Sequence, residues 1–224
     1  MIYFNKDNKE LDSSDYEYFS KGMCASVYKR DDVLFKVYNL DCKYSLYLSK
    51  KMFRTLRDLK IDNMVELIDF YHQYKSRILP MDAYTMKFVG GKDVDLLTAS
   101  KEYIVDIANQ LDETIAQLSE HKIVMHDAHR ENILFKENGV TIIDPDQFYS
   151  TRCLSEKAVY ERNKCIAILY ITDTISHRLD ELTKEEPIRP IVTIPYQKGV
   201  SLRKCLISCY KDKTIYDTIM NENR

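Results

Sequence analysis

The stretch IVMHDAHRENILFKENGVTIIDPD, residues 123–146, decides how this chain is read. Asp127 is followed five residues later by Asn132, and Asp144 comes after a Gly-centred turn and the apolar run VTII. An acid, an amide oxygen and a second acid can orient a hydroxyl and hold a divalent cation against a nucleotide phosphate. Mg2+ takes oxygen ligands, commonly one or two carboxylates with substrate phosphates. Asn132 and Asp144 suit that work, which leaves Asp127 to accept or orient a hydroxyl proton. Taken singly, each is an ordinary solvated turn residue, and the joint spacing carries the reading. His126 and His129 flank the set without metal-ligand spacing to Cys or another His, and are read as loop hydrogen-bonders.

Working outward, Ile104, Ile107, Ala108, Leu111, Ile115 and Leu118 recur at helical spacing and predict an amphipathic helix ending just before this stretch. VYERNKCIAILYITDTI predicts a further buried helix after it, and Pro187, Pro190 and Pro195 precede a last helical run, SLRKCLISCYKD. Upstream the texture is strand-like. YEYFS, SVYKR and VLFKVY read as three strands, the last two joined by an Asp31-Asp32 turn. Residues 44–59 switch to helical spacing through Leu46, Leu48, Met52, Leu56 and Leu59, and strand texture returns in MVELIDFYHQY and ILPMDAYTMKFV. Gly90-Gly91 then punctuates the chain. The expected organisation is a β-rich lobe with five strands and one helix over residues 1–89, and a mainly helical lobe over 90–224.

Two upstream features bear on chemistry. In SKGMCASVY, residues 20–28, Gly22 allows a tight turn, and small Ala25 and Ser26 leave room for a ligand. Backbone N–H groups of such a turn can lie over phosphates. In VLFKVY, Lys36 stands among apolar residues, and a buried ammonium needs an anionic partner. Taken alone, Lys36 reads as readily as an outward-facing strand lysine; with the Gly turn just before it, a phosphate partner is the expectation.

The composition is that of an ordinary folded chain: 45% hydrophobic, 30% charged and a net charge of −2, which gives no reason to expect nucleic-acid binding. No apolar run approaches the ~18 residues of a membrane span. MIYFNKDNKE lacks the pattern of a signal peptide. The six cysteines (Cys24, Cys42, Cys153, Cys165, Cys205 and Cys209) form no CxxC pair; Cys205 and Cys209, four apart, read as core residues, and the pattern suits a reducing compartment. The expected location is the cytoplasm, or outside the cell by a route that leaves no readable signal.

On these residues the chain resembles the protein-kinase-like superfamily, which includes protein kinases and the aminoglycoside and choline phosphotransferases. The resemblance covers about residues 16–175. It implies an α+β, two-lobed fold with a reduced C-terminal lobe. Ser20, Gly22 and Ala25 fall at the three glycines of the Gly-rich loop, with Val27 following, and Lys36 matches the strand lysine that holds the α- and β-phosphates. MKFVGG matches the hinge, where backbone groups around Lys87 and Val89 would read adenine. Asp127 matches the catalytic-loop acid, Asn132 the metal-binding amide and Asp144 the second metal ligand, with ATP and Mg2+ as cofactors.

The departures also inform. The lysine's usual glutamate partner on the following helix is missing: Met52 falls at its place, and no Glu occurs between residues 37 and 65. Lys36 is then oriented by another group, such as Asp144 or the nucleotide, or the ion pair is absent. Met125-His126 replaces His-Arg, His129 replaces a lysine, DPD replaces DFG, and no APE motif follows. About fifteen residues are expected between Asp146 and the next helix, so substrate-docking structure is reduced. The implied activity is transfer of the ATP γ-phosphate to Ser/Thr hydroxyls of a protein. The alternatives are a small hydroxylated acceptor, favoured by His129 and the missing APE, and a nucleotide-binding pseudokinase. The resemblance leaves room for an activating protein partner.

Overall fold

The computed structural model describes residues 1–39, 47–73, 82–127, 129–182, 198–202 and 204; the side chains of residues 179, 180 and 182 are outside this description. The chain is mixed α/β and divides into two compact units, Met1–Gly90 with Asp144–Tyr149, and Gly91–Ile143 with Ser150–Arg224.

The first unit is built on a curled, antiparallel seven-stranded sheet. Its strands are β1 (Ile2–Asn5), β2 (Glu10–Asp12), β3 (Glu17–Lys21), β4 (Ala25–Arg30), β5 (Val33–Tyr38), β6 (Leu67–His72) and β7 (Ala83–Lys87), in the order β2-β1-β6-β7-β5-β4-β3. Successive strand residues face opposite sides of a sheet, and in β5 this alternation separates core from chemistry. Phe35, flanked by Val33 and Val37, enters an aromatic cluster with Tyr3, Tyr16 and Ala83. Tyr3 meets Phe35 edge to face at 5.2 Å. Lys36 and Tyr38 therefore fall on the other side. Helix α1 (Lys50–Leu59) begins at Ser49, whose Oγ accepts the Met52 N–H, and ends where Lys60 turns left-handed at φ +51°. It buries Met52, Phe53 and Leu56, with Phe53 5.6 Å from Phe70 and 5.7 Å from Tyr84.

Two strands exceed the expected five. The β1–β2 hairpin is short and interrupted by charge, so its alternation is faint. Its turn is closed by a side chain: Asn5 Oδ1 accepts the N–H groups of Asp7 and Lys9, both at 2.9 Å.

In the second unit, Ser100 caps helix α2 (Lys101–Glu120), which buries the expected stripe together with Thr114 and Ser119. Strand β8 (Ile123–Val124) follows, then the hairpin of β9 (Ile133–Lys136) and β10 (Gly139–Ile142), which pair antiparallel. Helix α3 (Glu156–Leu182) packs against α2 and begins nearer Asp146 than expected. The proline-marked stretch and most of the last expected helix lie outside the described residues, as do Cys42, Cys205 and Cys209. Cys24 is disulfide-bonded, while Cys153 and Cys165 are free thiols. Spacing along the chain does not reveal covalent pairing, so the reading of scattered thiols misses Cys24. Among the described residues, no helix is long and apolar enough to cross a membrane.

Candidate functional site

In the first unit, the Lys36 ammonium lies 2.7 Å from Asp144 Oδ2 and 2.8 Å from Asp146 Oδ2. The lysine side chain is only 9% exposed, so it needs such partners. Tyr38 and Tyr84 each donate a hydroxyl hydrogen bond to Asp146 Oδ1, at 2.9 and 3.0 Å. The Asp146 N–H donates to Asp144 Oδ1 at 3.2 Å, and the Phe148 N–H closes the turn onto Pro145 O. Tyr38 is itself fixed: its oxygen accepts the Leu48 N–H, and its ring stacks on Tyr47 at 4.0 Å.

The electrostatics arise from burial and this crowding of charge. Burial alone would depress the Lys36 ammonium, but the charges of Asp146 and Asp144 more than offset it and hold Lys36 above its ordinary range. Burial pushes Asp146 up to about 6, although Lys36 pulls the other way. The Tyr38 and Tyr84 hydroxyls are raised well above their usual range, first by burial and then by the Asp146 charge. Both therefore act as donors. Two carboxylates thus share one ammonium, and hydroxyls supply the remaining stabilisation.

Met52, where the resemblance would place a glutamate, is 4% exposed on the buried face of α1. Sequence reasoning allowed for Asp144 as the lysine's partner but missed Asp146. The available signals were a second acid two residues past Asp144 and a tyrosine two residues past Lys36, on the same strand face.

In the second unit, Asp127 is exposed and holds a left-handed backbone, φ +61°, a conformation that Asp tolerates better than most residues. Asn132 is buried and donates from Nδ2 to Asp127 O at 2.9 Å and to Asp127 Oδ2 at 3.1 Å. With the nitrogen so committed, Oδ1 is the atom left to take a cation. Helix α3 fixes the surrounding loop. Asn163 Oδ1 accepts the Met125 N–H and its Nδ2 donates to Ile123 O, both at 2.9 Å. Asp173 Oδ2 accepts the Arg130 N–H at 2.8 Å. The Ile143 N–H donates to Asn132 O at 3.0 Å. His129 Nδ1 accepts the Glu131 N–H at 3.4 Å, a loop hydrogen bond as read from its surroundings.

The remaining expected residues lie in the first unit. Ser20 is exposed on β3 opposite Val27, which in turn faces Lys36 across the β4–β5 pair. Ala25 is buried. Gly22 is exposed and outside the left-handed region, and its N–H donates to Ala25 O at 2.8 Å. That N–H closes the hairpin instead of pointing at a ligand. Lys87 ends β7 with its N–H on Glu66 O, and Val89 is half-buried. The sequence did not single out Phe19 and Phe88, which meet edge to face at 5.8 Å with the Lys29 ammonium 3.5 Å from the Phe88 ring centre.

For a hard cation, Asp144 in the first unit and, separately, Asn132 in the second each have an oxygen to offer. Among the described residues, no cluster of three or more His, Cys, Asp or Glu could hold a metal unaided. That donor chemistry fits Mg2+, which binds with few protein ligands when phosphate supplies others; it does not fit a structural zinc site. No protein-family model matches the chain, and no curated protein sequence matches it.

Proposed function

We propose that the protein is an ATP-dependent phosphotransferase with a two-lobed, protein-kinase-like fold, acting on Ser/Thr hydroxyls of a protein. The observation that carries this reading is Lys36, a buried ammonium on a strand face held by the carboxylate of Asp144. A buried cation beside a partly exposed acid is suited to phosphate oxygens and their counter-ion. Lys36 neutralises charge on the non-transferred phosphates. Asp144 and Asn132 are the residues that would hold Mg2+, which would supply charge neutralisation on the phosphate oxygens. Asp127 orients the acceptor hydroxyl and takes its proton as the oxygen bonds to the γ-phosphorus and the bond to the β–γ bridging oxygen breaks, releasing ADP. Asn132 holds the Asp127 carboxylate in place. Phe19 and Phe88 offer ring surface to a base. The reading requires the residues of both units to act on one nucleotide.

A small hydroxylated acceptor is the second reading. It is favoured by the short run of residues 147–155 between Asp146 and α3, which leaves little chain to dock a protein segment. Incubation with labelled ATP and Mg2+, with and without a generic protein acceptor, tests both readings. Labelled protein supports the first, and slow ATP hydrolysis without labelled protein supports the second. Asp127→Asn is expected to lower turnover by ~10³-fold or more while retaining Mg·ATP binding. Asp144→Asn is expected to lose both. Unchanged turnover and affinity in Asp144→Asn would sink the assignment.

A further inference from the structure

Two carboxylates share the Lys36 ammonium, and the phosphotransfer reading gives one of them a second duty at a cation. We infer that Asp146 is the residue that positions Lys36, so that Asp144 can turn to a cation without releasing the lysine. The consequence for nucleotide binding rests on the phosphotransfer reading; the placement of Lys36 rests on geometry alone.

The two acids are not equivalent. The Asp144 side chain is 30% exposed, that of Asp146 only 11%. Asp144 Oδ1 receives one backbone N–H. Asp146 Oδ1 receives two hydroxyls, which leaves Oδ2 aimed at the lysine. A buried carboxylate fixed by several donors keeps its geometry, because any displacement strands polar groups away from water. Asp144, with fewer donors and more solvent, is the one able to exchange its partner.

The supports of Asp146 also come from the right place. Tyr38 lies two residues past Lys36 on β5, and Tyr84 is the direct cross-strand neighbour of Lys36 on β7. The lysine and both hydroxyls that fix its partner are thus carried by two adjacent, hydrogen-bonded strands. Helix α1 packs on Tyr84 through Phe53 but gives Lys36 no acidic partner. Its one acid, Asp58, pairs with Arg57 at 2.8 Å, and Met52 is packed in the core. The acids and hydroxyls that hold this cluster therefore come from the sheet and the Asp144–Asp146 turn, and the helix contributes packing alone.

Asp146→Asn removes the charge with almost no change of shape. In its crystal structure, the Lys36 ammonium is expected to leave residue 146 and rest on Asp144 alone. Mg·ATP affinity, measured by calorimetry, is expected to fall ~10-fold, and Lys36→Met should fall at least as far. Because Asp146 acts through Lys36, the double variant should bind no more weakly than Lys36→Met. A merely structural role would instead make the two losses multiply, and that result overturns the inference. So does an Asp146→Asn crystal structure with Lys36 undisplaced. If the unaltered protein binds no Mg·ATP, the phosphotransfer reading falls, and the Lys36 position in the variant still decides the inference. Should Asp146→Asn not fold, Tyr84→Phe keeps the charge and removes one support; a loss of ~3-fold in affinity is expected, and unchanged affinity counts against the inference.

Discussion

The cluster around Lys36 and the loop around Asp127 are held by different physics. In the first, the groups suited to chemistry are themselves the structure: buried Lys36 and Asp146 and partly exposed Asp144 satisfy one another, with Tyr38 and Tyr84 closing the set. In the second, the exposed acid carries little of the fold. The loop is instead pinned through its backbone by Asn163 and Asp173 from α3. The difference separates the two regions experimentally. Charge substitutions in the first alter stability and chemistry together, because removing one partner leaves a buried charge uncompensated. In the second the two are separable, since Asp127 can change while the loop's supports remain.

The strongest attack on that contrast is Asn163→Ala. Asn163 is fully buried and serves the Met125 N–H and the Ile123 carbonyl, with Ser119 Oγ at 3.4 Å. Alanine leaves these backbone groups in the core without a partner. Each such group costs about 1–3 kcal/mol, so a loss of about 3 kcal/mol is expected in urea unfolding. Asp127→Asn should stay within about 0.5 kcal/mol of the unaltered protein in the same measurement, as an exposed substitution does. If both variants lose equal stability, the separation of scaffold from chemistry in this loop is wrong.

A smaller effect is expected at Gly139, where the turn between β9 and β10 demands a left-handed backbone, φ +124°. A Cβ here would meet the Gln110 side-chain amide at 2.2–2.7 Å, and Gln110 Oε1 is the acceptor for the Val140 N–H. Gly139→Ala therefore combines backbone strain with displacement of a helix contact. A destabilisation of about 2 kcal/mol is expected by thermal melting. No loss would mean that the hairpin bearing Asn132 at its edge tolerates a different turn.

Part of this arrangement is legible in the sequence because it is local. The α2 stripe, the strand alternation around Lys36 and the nearness of Asp127 to Asn132 all depend on residues near one another in the chain. The pairing of Lys36 with Asp146 does not. It joins residues far apart in sequence, and the local hints, a second acid after Asp144 and a tyrosine after Lys36, do not tell that Asp146 is buried until the fold places Tyr38 and Tyr84 beside it. Asn163 was hidden in the same way, as one polar residue between the charged Arg162 and Lys164 with nothing local to mark it as buried. The β1–β2 hairpin escaped notice for the opposite reason: its local pattern is short and broken by charge, and pairing with β6 completes it.

Gly22 tests how far a local motif can mislead, and it carries the smallest expected effect. Read from sequence, it is the residue that lets the turn before β4 form. In the structure its backbone lies outside the left-handed region, and a Cβ would meet only Ala25 O, at the ordinary distance of 3.8 Å. Its N–H bond to Ala25 O does not involve the side chain and survives substitution. Alanine also restricts the unfolded chain more than glycine does. Gly22→Ala is therefore expected to leave unfolding stability unchanged within about 0.5 kcal/mol, or to raise it slightly, in urea titration. Set beside Gly139→Ala, the pair distinguishes a glycine required by backbone geometry from one that is not. A loss at Gly22 as large as that at Gly139 would mean that the turn uses a conformation only glycine can reach.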